Sequence, residues 1–353
     1  MKIGIFTLPL VNNYGGILQA YALSRVLVGL GHEPRLINLR LQRSKLSIAY
    51  LKFLVVCALK KELCGAKFNP SYERDTSEFV AENIPLTVPV CTPADLKALC
   101  EKERFEAVIL GSDQVFRPSY FADFADCFSL GFLPPNCTRI AYAASFGGDR
   151  LCGLKNPADL KAHAANLAKF KAISVRECDS VKLARECFGV DAHWVLDPTL
   201  LANKEIYDKF LSHAPKRKGF AYILDPSPRS EAAIELLKKQ SGLEIDEVND
   251  RGNRIGIKAW LSAIAGAEFV LTDSFHGCVF SIIFNKPFFV LINASRGASR
   301  FSSLLGSFGL EDRALQDPKD AWLDATIDWD GVNEALRRKR EDSMKFLKTS
   351  LGS

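Results

Sequence analysis

The sequence lacks most of the patterns that announce a function at once. No C-x-x-C pair occurs among its ten cysteines, and no histidine stands near any of them at zinc spacing, which argues against a structural zinc module. The cysteines read as reduced thiols, mostly buried. The five histidines, at 32, 163, 193, 213 and 276, do not cluster, and no metal is expected. Charge of one sign is missing too: 46 Lys and Arg stand against 41 Asp and Glu, a net +5 dispersed along the chain. A nucleic-acid binder driven by phosphate neutralisation is therefore not expected. No internal repeat or low-complexity tract stands out, and the composition resembles neither disorder nor collagen.

Long hydrophobic runs are also absent. The most apolar stretch, residues 46–59, is interrupted by Lys52 and falls short of the roughly 20 residues that a spanning helix needs. Arg40, Arg43 and Lys45 precede it, and Lys60, Lys61 and Lys67 follow. The plainer expectation is a helix docked on the core; the alternative is a peripheral contact of residues 40–67 with an anionic membrane surface. Residues 1–6 lack the apolar core of about 7 to 15 residues and the cleavage site of a signal peptide. Free thiols without an export signal make the cytoplasm the expected location.

What is present is enough chain for a sizeable core. The 353 residues, 48% hydrophobic and 25% charged, suit roughly two domains at about 150 residues each. Residues 2–7 form an apolar run of strand length, followed by the turn-rich Asn12-Asn13-Tyr14-Gly15-Gly16. A helical pattern comes next, with Leu23, Val26, Leu27 and Leu30 on one face and Gly31 and Pro34 as its stop. Residues 35–39 then read as a second strand, so the chain opens a parallel sheet. Further strands are expected at 107–111, 140–144, 172–175, 194–196, 220–224, 269–272 and 288–292, and a helix at 204–212. Proline and charge gather at Ala214-Pro215-Lys216-Arg217-Lys218, which sets the expected domain boundary. The fold class is α/β: a doubly wound half over 1–213, another over 214–329, and a charged helix over 330–353 packing back on the first.

In such folds ligands sit at the carboxyl ends of the strands. Polar residues accumulate there. Asn12, Asn13, Tyr14 and Gly15 lead into a helix whose free N–H groups can hold an anion. Two strands end in Gly111-Ser112-Asp113 and in Ser145-Phe146-Gly147; helix capping explains either alone, and two in one sheet favour a shared cleft. Arg176 and Glu177 follow an apolar strand, and the planar guanidinium suits a carboxylate or phosphate, or else a surface ion pair. Ser274-Phe275-His276-Gly277 opens an apolar helix, with His276 at the N-terminal end that favours an anion. A sixth loop carries Arg296 and Arg300. Three arginines and one histidine at strand ends make a site for a small, multiply charged anion.

Taken together, Asn12-Asn13-Tyr14-Gly15, Gly111-Ser112-Asp113-Gln114-Val115, Tyr142-Ala143-Ala144-Ser145-Phe146-Gly147, Ser174-Val175-Arg176-Glu177, Leu196-Asp197-Pro198-Thr199 and Thr272-Asp273-Ser274-Phe275-His276-Gly277 resemble the polysaccharide pyruvyl transferases over roughly residues 1–310. The resemblance implies a glycosyltransferase-B-like pair of Rossmann-like domains facing across a cleft, acceptor side first and donor side second. It implies transfer of enolpyruvyl from phosphoenolpyruvate to a sugar as a ketal, with release of phosphate, in capsule or exopolysaccharide synthesis. Arg176 matches an arginine that the family associates with the donor. The family's Arg-x-His-Gly turn appears here as Ser274-Phe275-His276-Gly277, so that charge must come from elsewhere, with Arg300 or Arg296 the candidates.

Ketal formation from an enol phosphate needs a proton on the methylene carbon, stabilisation of an oxocarbenium-like centre, and deprotonation of the incoming hydroxyl. His276 is expected to serve as acid or base, with Asp113 or Glu177 as the second proton-transfer group. Ser112, Ser145, Phe146, Gly147, Ser274, Phe275 and Gly277 are expected around the substrates. No cofactor or metal is required. The partners expected are the small-molecule donor and a lipid- or nucleotide-linked glycan precursor; the oligomeric state is left open. Two other functions compete on the same architecture, a nucleotide-sugar glycosyltransferase and a non-catalytic sugar-binding protein.

Overall fold

A computed structural model describes residues 1–40, 70–117, 120, 122–148, 157–212, 218–249, 255–292, 297–317, 319, 321 and 326–352. Nearly all of the candidate membrane-contacting stretch, Arg296, and the expected boundary at 214–217 lie outside the described residues.

The first half of the chain runs β1 (Lys2–Phe6), α1 (Tyr14–Gly29), β2 (Glu33–Leu36), α2 (Pro70–Asn83), α3 (Pro93–Glu103), β3 (Ala107–Leu110), β4 (Thr138–Ala144), α4 (Pro157–Leu167), β5 (Ala172–Val175), α5 (Asp179–Phe188) and β6 (His193–Trp194). Two short helices follow, α6 (Pro198–Leu201) and α7 (Glu205–Asp208). The second half comprises β7 (Gly219–Ile223), α8 (Pro228–Ser241), β8 (Ile245–Asn249), α9 (Ile257–Gly266), β9 (Val270–Thr272), α10 (Phe275–Ile283), β10 (Phe288–Leu291), α11 (Ala298–Gly306), β11 (Ala314–Leu315) and α12 (Trp329–Leu351).

The strands form two sheets, ordered β2-β1-β3-β4-β5-β6 and β11-β10-β9-β7-β8, and every pairing is parallel. This is the doubly wound arrangement expected from the alternation of apolar runs and helical patterns. Strand order reverses between β1 and β3 in the first sheet and between β7 and β9 in the second, and such reversals open a crevice at the carboxyl ends. Short buried runs such as Ala107–Leu110 and Phe288–Leu291 become central strands because both faces are covered. Helix starts follow local chemistry: Thr92 and Ser227 each close a capping box in front of a proline at the first turn.

Three expected elements shift or shorten, the first being the strand at 35–39, which runs instead over Glu33–Leu36. The strand at 194–196 ends at Trp194, because the Leu196 N–H turns away to Ser343 Oγ on α12 at 3.0 Å and Pro198 opens α6. The helix at 204–212 stops at Asp208, beyond which Phe210 and Leu211 bond three residues back rather than four.

The described residues form three apolar clusters. One covers the face of the first sheet against α3 and α5, another the face of the second sheet against α8. The largest is continuous between the two sheets, joining Ile5, Tyr21 and Tyr207 of the first half to Trp260, Phe280 and Phe301 of the second. Tyr14 stacks on Trp260 with ring centres 5.2 Å apart, and Tyr207 meets Phe280 edge-on at 5.0 Å. α12 returns to the first sheet, where Phe346 packs beside Tyr142 and His193.

Candidate active site

The two strand-order reversals face each other, and the residues singled out above lie around the junction. Asn13 caps α1, its Oδ1 accepting from Gly16 N at 3.1 Å, and Ser274 caps α10 by accepting from Gly277 N at 3.3 Å. Both helices thus present their N-terminal ends at the junction. They touch there: Gly15, in the first turn of α1, lies so close to the His276 imidazole that a Cβ on it would overlap the ring.

At the centre is a carboxylate that the sequence reading left among the motif residues. Asp197, fully buried, accepts from Arg176 Nη1 at 2.9 Å and Ser112 Oγ at 3.0 Å on one oxygen. Its other oxygen takes Thr199 N at 2.9 Å and Thr199 Oγ1 at 2.6 Å. His276 Nε2 stands 3.7 Å from Asp197 Oδ2, beyond hydrogen-bonding reach. Burial alone would raise the Asp197 pKa; His276, the Arg176 guanidinium and Thr199 outweigh it and hold the carboxylate well below its usual range. The signal in the sequence was the Asp-Pro-Thr run after a strand, which reads equally well as a plain helix cap and does so here for α6.

Arg176 is the second hub. It is buried and works against that burial by facing Glu177, Asp197 and Asp113, which together keep its pKa above the ordinary arginine value. Nε donates to Glu177 at 3.2 Å, while Nη2 makes no hydrogen bond among the described residues and lies 3.8 Å from Asp113 Oδ1. The guanidinium packs 4.3 Å from the centre of the Phe275 ring, and that of Arg300 packs 5.9 Å from the same ring. Burial, helped by the Arg176 charge, pushes the Arg300 pKa down to about 10, so it stays charged at neutral pH.

The two carboxylates offered as proton-transfer partners differ. Glu177 accepts from Ser145 Oγ at 2.7 Å, Arg176 Nε at 3.2 Å and Ser180 Oγ at 3.1 Å, with 1% of the residue exposed, so its oxygens are occupied in holding the loop. Asp113 has a left-handed backbone, φ 75°, uncommon outside glycine though more accessible to Asp than to most residues. Its carboxylate meets Asn13 Nδ2 at 3.4 Å and faces Arg176.

Other expected residues turn elsewhere. Phe146 lies in the aromatic core with Phe116 and Phe188, which draws its ring away from the cleft. The Tyr14 ring belongs to the interface, and its hydroxyl donates to the Ile255 carbonyl. Gly147, at φ 72°, provides the tight turn that lets its N–H reach Ser145 Oγ at 3.0 Å. Gly277 packs against Thr272, Asn12 adopts φ 46° beside the cap, and Arg296 lies outside the described residues. Among the described residues, no group of three or more His, Cys, Asp or Glu side chains is arranged to hold a metal ion.

The arrangement collects two guanidinium groups, two helix N-termini and an imidazole beside three buried carboxylates, Asp113, Glu177 and Asp197, a setting that joins anion-binding groups to groups able to move a proton. A family model described as polysaccharide pyruvyl transferase matches residues 13–295. No curated protein matches the sequence. Among solved structures, the Methanocaldococcus jannaschii UDP-GlcNAc 2-epimerase in complex with UDP-GlcNAc and UDP is similar at 12% identity and a TM-score of 0.52, over 100% of both chains. The S. aureus MnaA–UDP structure is similar at 10% identity and a TM-score of 0.51, over 98% of this chain and 90% of that one. At such identities the likeness is one of fold: two Rossmann-like domains in the glycosyltransferase-B manner.

Proposed function

The chain belongs to the polysaccharide pyruvyl transferase family, and we propose that it moves the enolpyruvyl unit of phosphoenolpyruvate onto two hydroxyls of one sugar as a ketal. The observation that carries this reading is the buried cationic pair, Arg176 and Arg300, flanking Phe275 beside His276. A donor with both a carboxylate and a phosphate suits two guanidinium groups, and Arg300 beside Phe275 would supply the charge that the family's Arg-x-His-Gly turn carries where this chain has Ser274. The α1 and α10 N-termini add N–H groups without a metal ion.

In this reading the donor's methylene carbon takes a proton and becomes the methyl group. One sugar hydroxyl adds to the neighbouring carbon and loses its proton, phosphate leaves with the C–O electron pair, and the second hydroxyl closes the ring and loses its proton. Of the two protons released, one balances that added to carbon and one leaves with phosphate. His276 and Asp113 are the proton-transfer pair; Asp197 lies beside His276 and balances Arg176. The acceptor is a lipid- or nucleotide-linked glycan precursor for a surface polysaccharide. The seven described cysteines are all free, which supports work in the cytoplasm, at the inner membrane face for a lipid-linked acceptor.

The test is incubation with phosphoenolpyruvate and lipid- or nucleotide-linked galactose, glucose and mannosamine, following phosphate release and product mass. His276→Ala should cut turnover by about 10²- to 10⁴-fold while the melting temperature stays near wild type. No phosphate release with any acceptor, and no thermal shift from phosphoenolpyruvate, would overturn the reading. Release of nucleoside diphosphate from a nucleotide sugar would indicate the glycosyltransferase alternative.

A further inference from the structure

Trp194 is 41% exposed, whereas Trp260 is fully buried. It ends β6, the edge strand of the first sheet, three residues before Asp197. Its one polar atom is already engaged: Nε1–H donates to the Arg176 carbonyl at 3.0 Å, so the residue at the heart of the site also orients the indole. Trp194, Arg176, Asp197 and Phe275 line the same small cleft, of about 20 Å³. From α12, Lys339 places Nζ 4.1 Å from the ring centre.

An indole this exposed offers apolar surface that a ligand can cover. What this one presents is an apolar surface at the rim of a narrow cleft lined by Leu196, Leu200, Phe275 and Leu304 as well as Arg176 and Asp197, with the Lys339 ammonium over part of the ring. A pyranose fits that pairing, since C–H groups line the faces of its ring and hydroxyls project from its edge. We propose that Trp194 is the platform for the acceptor sugar, with the sugar ring on the part of the indole that Lys339 leaves uncovered, at the mouth of a cleft with room for one hydroxyl, and Lys339 donating to its oxygens. The platform rests on the transferase reading above and adds to it the side from which the acceptor enters.

The experiment uses the full chain and begins with wild-type phosphate release, which tests the transferase reading by itself. Trp194→Ala should then raise the acceptor KM by about threefold to tenfold, leaving the donor KM and the kcat at saturating acceptor within about twofold. Trp194→Phe, which restores an aromatic face, should recover most of the loss, and Lys339→Ala should again raise only the acceptor KM. An unchanged acceptor KM, or equal rises for donor and acceptor, would overturn the platform. A readout free of turnover is the Trp194 indole N–H resonance, assigned through Trp194→Phe and followed during titration with methyl glycosides and UDP-linked forms of the same sugars. A sugar-dependent shift at that resonance supports the platform even if no pyruvyl transfer occurs, and no shift with any of them would sink it. Should Trp194→Ala fail to fold, the Phe and Lys339 variants and the resonance carry the test.

Discussion

At the residue scale the site depends on one buried carboxylate and one missing side chain. Asp197 gathers Arg176, Ser112 and Thr199 on its oxygens, so Asp197→Asn would leave Arg176 without its nearest counter-charge. Removing one partner of a buried pair costs on the order of 3–5 kcal/mol. Because the folded state lowers the Asp197 pKa, its contribution is fully present above the unfolded value of about 3.9 and is lost as pH falls below that point. Denaturant titrations from pH 7 down to pH 3 should therefore show a lower midpoint for Asp197→Asn at pH 7 and a shallower loss on acidification than in wild type. An acid limb of equal slope would contradict this account. At Gly15 the effect is steric: Gly15→Ala favours helix α1 locally, yet its methyl must displace the His276 ring. Turnover should fall by about 10²-fold with little change in helical circular dichroism, as expected for a displaced reacting group.

At the scale of elements, α12 reaches into the site from the far end of the chain. Ser343 Oγ accepts from Leu196 N and Arg340 Nε donates to the Leu200 carbonyl, so this helix braces both sides of Asp197. Ser343→Ala should cost about 1–3 kcal/mol, the penalty for a buried N–H left without an acceptor, and should lower kcat more than it raises either KM. Urea midpoints and steady-state kinetics on the same preparation check both halves. The helix itself was plain in the sequence from its charged, uninterrupted run; its contact with residue 196 was not, because no pattern within the run indicates which strand end it meets. β6 shows the same limit: apolar composition announced a strand, and the long-range bond to Ser343 decided where it stopped.

Across the whole molecule, the apolar cluster that runs between the two sheets makes independent unfolding of the halves unfavourable. Calorimetry should give a single transition for the full chain. Two resolved transitions would show that Tyr14, Trp260, Tyr207 and Phe280 contribute less to holding the halves together than their stacking geometry implies. The same continuity explains why the cleft beside Asp197 is so small and why Trp194, on its rim, is the exposed part of it.

What the sequence determined by itself is everything carried by local repetition and local chemistry. Alternating apolar runs and helical faces dictate parallel strands; prolines and capping residues dictate where helices begin; polar residues after the runs 107–110, 172–175 and 270–272 lie near the cleft because strand ends in such sheets converge. Tertiary structure alone decided what those residues do to one another. Glu177 and Asp113 look equivalent in the sequence, yet one carboxylate is enclosed by Ser145, Ser180 and Arg176 while the other is held on a left-handed backbone facing Arg176 and Asn13. Asp197 reads as a helix cap until Arg176 and His276 approach it from elsewhere in the chain. Hydrogen bonds and charge act over a few ångströms, and only folding brings residues 15, 113, 176, 197 and 276 within that range.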